Sequence, residues 1–151
     1  MTLRERLTDE LKSAMRAGDA ARVSTLRMIT AKLKDTDIAA RPGGPVADEA
    51  ILAMLRGMAK SRRESVELYV RGNRPELAAK EEAEIAVIDS FLPARMDAAA
   101  LASAVAAAIG STGATSVKDM GRVMAALKAA HGAALDPAAA GAAVKAALAQ
   151  P

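Results

Sequence analysis

The stretch that decides the fold is SVKDMGRVMAALKAAHG, residues 116–132. Its large apolar residues recur at the three- and four-residue spacing of a helix: Val117, Met120, Val123, Met124 and Leu127. Ser116 precedes this run and Asp119 follows it three residues later, which is the spacing of a capping box at a helix start. Gly132 is the residue type that most often follows a helix end. The stretch therefore predicts one short amphipathic helix over 116–131.

A glycine lies inside this predicted helix. Gly121 costs about 1 kcal/mol relative to alanine at an interior helical position. Such a residue suggests that another backbone comes too close for a side chain. We therefore predict close approaches at Gly121 and at Gly132.

Composition limits the class of protein and its chemistry. The 151 residues suffice for one domain or two small ones, and helix-forming residues dominate them. We predict an all-α fold. The chain has no cysteine and a single histidine, His131, which excludes disulfides, cysteine nucleophiles and zinc knuckles. We expect no metal and no cofactor.

Cap residues and prolines divide the chain. Helix starts are predicted at Thr2 with Glu5, at Asp19, at Asn73 with Pro75, at Asp97 and at Asp136-Pro137. Residues 41–45 are expected to form a linker and residues 110–113 a loop. Beyond Pro93 charged residues become rare and alanine becomes common. We predict an N-terminal helical domain over 1–93 and a C-terminal three-helix domain over 94–151.

Two charged positions lie on the apolar faces of adjacent predicted helices. Arg62 lies between Met58 and Val66, and Glu81 lies between Leu77 and Ile85. We predict that these helices run antiparallel and that Arg62 pairs with Glu81 as a structural ion pair. The acidic residues 81, 82 and 84 could also suggest acid–base chemistry, but such runs are typical of a solvated helix face.

Candidate nucleophiles lack the groups that would activate them. Ser61 and Ser65 are one helical turn apart, yet no histidine is close in sequence. We interpret both as core or helix-face serines and predict no catalytic residue. His131 precedes the predicted helix end, where the helix dipole favours a cation, and this explanation is preferred over catalysis.

Basic residues of the C-terminal part form a candidate RNA-binding surface. The candidates are Lys118, Arg122, Lys128, His131 and Lys145. Ordinary solubility explains them as well as RNA contact does. Tyr69 and Phe91 are the only aromatic residues, so the chain lacks platforms on which single-stranded bases stack. Any RNA would therefore be read through the shape and backbone of its folded form.

Three stretches resemble one family. They are AMRAGDAARVSTLRMITAKLKDTDI (14–38), RRESVELYVRGNRPELAAKEEAEIAVIDSFLP (62–93) and KDMGRVMAALKAAHG (118–132). The chain resembles YqeY-like proteins over nearly its whole length. Its last part resembles the small C-terminal tail domain of the B subunit of the glutamine-dependent aspartyl/glutamyl-tRNA amidotransferase. At the position of His131 the family commonly has lysine.

The resemblance implies a role near tRNA, because the tail domain belongs to the tRNA-handling part of that enzyme. It also brings a family-level label of carbon–nitrogen ligase with glutamine as amido-nitrogen donor. We predict a non-catalytic accessory module that binds tRNA or another folded RNA, or a translation-related protein. The alternatives are a helical protein–protein adaptor and an enzyme of amide or tRNA chemistry.

The location follows from what the sequence lacks. No apolar run approaches the roughly 20 residues that span a bilayer, and the charged N-terminus lacks the apolar core of a signal peptide. We therefore predict a cytoplasmic protein without a membrane partner.

Overall fold

The structure is a computed structural model, and it describes residues 1–149. All regular structure in this range is helical, which confirms the all-α prediction. The helices are α1 (Leu3–Ala17), α2 (Ala20–Ala39), α3 (Asp48–Arg71), α4 (Pro75–Asp89), α5 (Ala98–Thr112), α6 (Met120–His131) and α7 (Pro137–Ala149), with 3-10 turns at Val117–Asp119 and Gly132–Ala134. The chain divides into two compact units, Met1–Leu92 and a second unit that begins at Pro93.

Local side-chain bonds set the first helix boundaries. The Thr2 amide donates to Glu5 Oε2 at 2.7 Å, and the Glu5 amide donates to Thr2 Oγ1 at 3.2 Å, which completes the predicted capping box. Gly18 ends α1 in the left-handed conformation with φ of 70°. Asp19 then caps α2 by accepting from the Arg22 amide at 3.1 Å.

The core of the first unit joins all four of its helices. Its buried residues are Leu3, Leu7, Ala14, Leu26, Ile29, Leu33, Ile51, Leu55, Ala59, Ile88 and Phe91. The Arg6 guanidinium lies 4.8 Å from the centre of the Phe91 ring, a cation–π contact at the edge of this core. On α3 the fully buried positions end at Ala59, so the last three turns of this helix extend beyond the core.

An ion pair closes the connection between α2 and α3. The Arg4 guanidinium donates to both carboxylate oxygens of Asp37, at 2.8 and 2.6 Å, and to the Val46 carbonyl at 2.9 Å. Asp37 also accepts from the Val46 amide at 2.9 Å. These bonds hold the start and the end of the connection between α2 and α3 against α1. The Arg4 guanidinium and the Val46 amide together lower the pKa of Asp37 below its ordinary 3.8.

The predicted partner of Arg62 is wrong. Arg62 Nε donates to Glu84 Oε2 at 2.9 Å, and both side chains are largely buried. The helices α3 and α4 do run antiparallel about the turn at Asn73. Positions 62 and 84 are equally far from Asn73 in sequence and therefore face each other, whereas residue 81 lies about 4.5 Å closer to the turn along the axis of α4. The prediction of Glu81 as the partner was based on the apolar stripes of the two helices. The register between α3 and α4 is set instead by the short turn that connects them.

Asn73 was also assigned the wrong role. Arg74 occupies the N-cap position of α4 and makes no side-chain cap bond, while Pro75 is in the first turn. Asn73 adopts φ of 54°, a left-handed conformation that asparagine tolerates better than most residues. Its function is to reverse the chain between α3 and α4.

The second unit is a three-helix arrangement with small core residues. The buried set is Ala104, Val105, Ala108, Val123, Leu127, Leu135, Ala140, Val144 and Leu148. Asp97 caps α5 as predicted, by accepting from the Ala100 amide at 2.7 Å. The loop predicted at 110–113 is wrong, because α5 continues to Thr112 and ends at the left-handed Gly113.

Within residues 1–149, no single helix meets the length and apolarity needed to cross a membrane. The helix α5 and residues 117–131 meet them only together, with a bend of 93° between them.

We expect Asp37→Asn to remove part of the acid sensitivity of the first unit. The folded-state pKa of Asp37 lies below 3.8, so the ionised carboxylate stabilises the fold fully above that pH and loses this effect as the pH falls below it. The variant should unfold at lower urea concentration at pH 7 and show a flatter decline between about pH 5 and 2. Urea titrations across this range measure both effects.

The matched control is Asp9→Asn, because Asp9 is exposed on α1. It should keep the parental pH dependence. An identical acid response of Asp37→Asn and the parent protein would contradict the assigned role of the Arg4–Asp37 pair.

A double-mutant cycle tests the corrected register of α3 and α4. We expect Arg62→Ala and Glu84→Ala to couple by about 1 kcal/mol, because either single change strands a largely buried charge. The same cycle with Glu81→Ala should be additive. Denaturant unfolding gives the free energies, and equal coupling to Glu81 would contradict the register.

Candidate nucleic-acid interface

The site is built around the turn that enters α6. The Asp119 carboxylate accepts from the Thr115 amide at 2.9 Å and from the Ser116 amide at 3.3 Å. These bonds satisfy donors that a helix start would otherwise leave unpaired. The predicted capping residues are therefore the right ones. However, the first turn is a 3-10 turn over Val117–Asp119, and α6 begins only at Met120.

Arg122 has a structural role that the sequence analysis missed. Its Nη2 donates to Asp119 Oδ1 at 2.8 Å, and its Nη1 donates to the Thr112 carbonyl at 3.1 Å. The side chain thereby links the last turn of α5 to the entry of α6. The spacing of Asp119 and Arg122, three residues apart, is a signal from which the pair could have been found. Arg122 is thus engaged within the protein, although it remains well exposed.

The electrostatics of Asp119 follow from these contacts. Hydrogen bonds from the Thr115 amide and from the Arg122 guanidinium lower the pKa of Asp119 from 3.8 to about 2. The carboxylate is therefore ionised throughout the physiological range and offsets the charge of Arg122.

The three lysines of the second unit are its unpaired cations. Lys118, Lys128 and Lys145 are exposed, and none of their side chains has a hydrogen bond or ion pair within residues 1–149. The aspartates of this unit have other partners. Asp97 caps α5 and Asp136 pairs with Arg95 at 3.3 Å, while Asp119 binds Arg122. The positive surplus of the unit therefore lies on lysine side chains.

The candidate cations are spread over a surface. Lys118 is in the 3-10 turn, Lys128 is in the last turn of α6, and Lys145 is on α7. Arg122 and Lys128 are six residues apart on one helix, so they point about 120° away from each other. Such a spread suits several phosphates of a large polyanion better than one small anion.

His131 lies where the sequence places it. It is half-buried in the last turn of α6, next to the carbonyl end of the helix dipole. Within residues 1–149, no group of three or more His, Cys, Asp or Glu side chains is arranged to hold a metal ion.

The predicted close approaches at the two glycines are wrong. A Cβ atom added at Gly121 or Gly132 would meet no heavy atom within 4 Å. Gly132 is explained instead by its backbone, because its φ of 48° lies in the region that side chains disfavour. No internal contact accounts for Gly121, which is exposed.

The serines considered as nucleophiles are bonded within α3. Ser65 Oγ donates to the Ser61 carbonyl at 3.2 Å, the usual back-bond of a helical serine. Glu84, from the acidic run, is engaged by Arg62.

Comparison with known proteins identifies the class. The chain matches the family described as Yqey-like protein over residues 4–148. It is therefore a member of the YqeY-like family, which contains a domain related to the tail of the amidotransferase B subunit.

Individual relatives are fungal proteins. Altered inheritance of mitochondria protein 41, mitochondrial, of Lachancea thermotolerans is 31% identical over 86 residues, 57% of this chain and 46% of that protein. The protein of the same name in Vanderwaltozyma polyspora is 31% identical over 87 residues, 57% of this chain and 46% of that one. An uncharacterized protein of Schizosaccharomyces pombe is 31% identical over 91 residues, 60% of this chain and 69% of that one. The chain thus spans about half the length of the first of these relatives.

These names overturn one prediction. We expected a cytoplasmic protein, whereas the named relatives carry the word mitochondrial. The expectation rested on what the N-terminal residues lack, and a missing signal-peptide pattern does not distinguish cytoplasm from organelle. The cytoplasmic assignment is therefore wrong.

The hydrogen bonds of Asp119 at the entry of α6 predict that the second unit is sensitive to acid. Its carboxylate stabilises the fold fully above about pH 4, and this stabilisation is lost as the pH falls from 3.8 towards 2. Asp119→Asn should lower the hydrogen-exchange protection of the Val123 and Leu127 amides near neutral pH, and should make it less dependent on acid. Residue-resolved hydrogen exchange measures this protection, with Asp9→Asn as the control. Unchanged protection in Asp119→Asn would contradict the structural role assigned to Asp119.

Proposed function

We propose that this protein is an accessory module without intrinsic catalysis, and that it binds folded RNA through Lys118, Lys128 and Lys145. The observation that carries the proposal is the division of charge in the second unit. Both of its arginines are paired with aspartate, whereas all three lysines are exposed and unpaired within the described residues. Phosphates are natural partners for such lysines, because each contact releases a counterion from the nucleic acid.

The family supports an RNA of the tRNA kind. The YqeY-like domain is related to the tail of the tRNA-dependent amidotransferase B subunit. That relation suggests a surface adapted to a compact, folded RNA. Recognition of RNA without chemistry is the simplest role consistent with that relation.

The type of recognition follows from the side chains. Lysine heads are point charges on flexible stems, and they bind phosphates without reading bases. Since Tyr69 and Phe91 both lie in the first unit, the second unit has no Phe, Tyr or Trp side chain for stacking on bases. The module should therefore prefer a folded RNA backbone and show little preference for sequence.

Titration of labelled bulk tRNA against the full chain tests this function. With three phosphate contacts, affinity should fall about 20- to 40-fold between 50 and 200 mM salt. The variant Lys118→Gln/Lys128→Gln/Lys145→Gln should bind far more weakly at 50 mM salt and lose most of the salt dependence. Fluorescence anisotropy at a series of salt concentrations measures both.

Two controls make the result specific. Replacing the same three lysines by arginine keeps the charge and should keep binding. Lys12→Gln/Lys34→Gln/Lys80→Gln removes three exposed charges from the first unit and should leave binding nearly unchanged. Absence of binding by the parent protein, or equal loss in this last variant, would overturn the proposal. Arg122→Glu is unsuitable as a test because it would break the contacts to Asp119 and Thr112.

One observation favours the adaptor as a second candidate. Leu68 and Val70 are 65% and 64% exposed on the part of α3 that extends beyond the core. In the second unit, Val117 near Gly121 is 44% exposed. An adaptor would capture a protein in high salt through such residues, and Leu68→Ser should abolish that capture without changing RNA binding.

A further inference from the structure

The helix α2 carries apolar residues on two opposite faces. One face is buried in the core through Leu26, Ile29 and Leu33. The opposite face carries the apolar residues Met28, Ala31 and Ile38, with Asp35 among them, and the four positions recur at three- and four-residue spacing. Ile38 is 46% exposed, and Ala31 and Asp35 are exposed as well. An outward stripe of this spacing is the pattern of a helix that packs against another helix.

A groove continues this outward face onto α3. The groove has a volume of about 670 Å³ and lies between α2 and α3. Its α2 wall includes Met28, Ala31, Lys32 and Asp35, and its α3 wall includes Met54, Gly57, Met58 and Ser61. Methionine side chains adapt to irregular partners, and grooves between helices are common docking places.

Gly57 keeps the α3 side of the groove open. It lies in the middle of α3, where glycine is unfavourable relative to alanine. A Cβ atom there would meet no heavy atom within 4 Å, so packing within the chain does not require glycine. Gly57 is explained if another molecule approaches the helix at this point.

The charges of the groove favour a second copy of this chain as the occupant. The side chains of Lys32 and Asp35 are exposed and have opposite signs, and neither makes a hydrogen bond or ion pair within residues 1–149. Arg62 also borders the groove but is engaged by Glu84. A surface with one free charge of each sign is complementary to itself when a two-fold axis relates two copies.

We propose that the outward face of α2 and the adjoining groove bind a second copy of this chain, with the two α2 helices antiparallel. An axis at the level of Leu33 places Met28 beside Ile38 of the second copy, and Ala31 beside Asp35 of the second copy. Lys32 then lies within reach of that Asp35, and each contact occurs twice. The same register brings apolar groups together at both ends and opposite charges together near the centre.

Charge reversal in the full chain tests this dimer without RNA. The parent protein should change from monomer to dimer over a concentration series in sedimentation equilibrium. Lys32→Asp and Asp35→Lys should each weaken self-association about tenfold, because two like-charge contacts replace two attractive ones. An equimolar mixture of these two variants, and the double variant Lys32→Asp/Asp35→Lys, should recover dimer formation.

Further variants separate docking from folding. Lys12→Asp makes the same charge change on α1 and should leave the dimer unchanged. Gly57→Ala should raise the melting temperature, as expected for a helix interior, while it weakens the dimer. Ile38→Ser should weaken the dimer and keep the fold, because Ile38 is half exposed. A parent protein that stays monomeric at every concentration, or a dimer indifferent to both charge reversals, would overturn the proposal.

Discussion

One carboxylate determines how the second unit is assembled. Asp119 accepts hydrogen bonds from two backbone amides and from Arg122, and Arg122 in turn donates to the end of α5. The core of this unit consists of three alanines, three valines and three leucines, and each alanine buries little area. Polar contacts at the helix junctions therefore contribute a larger share of its order than they would beside a core of large side chains.

Much of the fold could be predicted because its signals are local. The pair Thr2 and Glu5, the cap Asp19 and the cap Asp97 each satisfy amides within three residues, so the printed order of residues suffices to find them. The apolar stripe from Met120 to Leu127 likewise depends only on helical spacing. By contrast, the ion pair of Arg62 depends on the register of two helices. If the connection between α3 and α4 had a different length, Arg62 would face a residue one helical turn away from Glu84. The apolar stripe alone does not reveal the geometry of that connection.

The candidate site could be predicted only as a set of residue types. The sequence does not distinguish lysines 118, 128 and 145 from Arg122 as candidates for RNA binding, because all four are basic. Only the structure shows that Arg122 is engaged within the protein. The glycines show a different failure. Gly121 and Gly132 suggest close approach equally well in sequence, but Gly132 is required by its backbone angle, whereas no contact within residues 1–149 requires a glycine at 121. The location of the protein in the cell is not determined by helix packing, and the lack of a signal-peptide pattern could not establish it.

Arginine and lysine have different tasks in this protein. In each ion pair described for residues 1–149 the cation is an arginine, from Arg4 with Asp37 to Arg122 with Asp119. A guanidinium has a planar fork of donors that fits a carboxylate, so it loses less conformational freedom for each hydrogen bond that it forms. Lysine loses more order when it is fixed and is more strongly hydrated, so it stays available at the surface. The cations that build the fold are thus a different set from those free to meet a polyanion, and a partner that binds the lysines need not break any contact that holds the helices together.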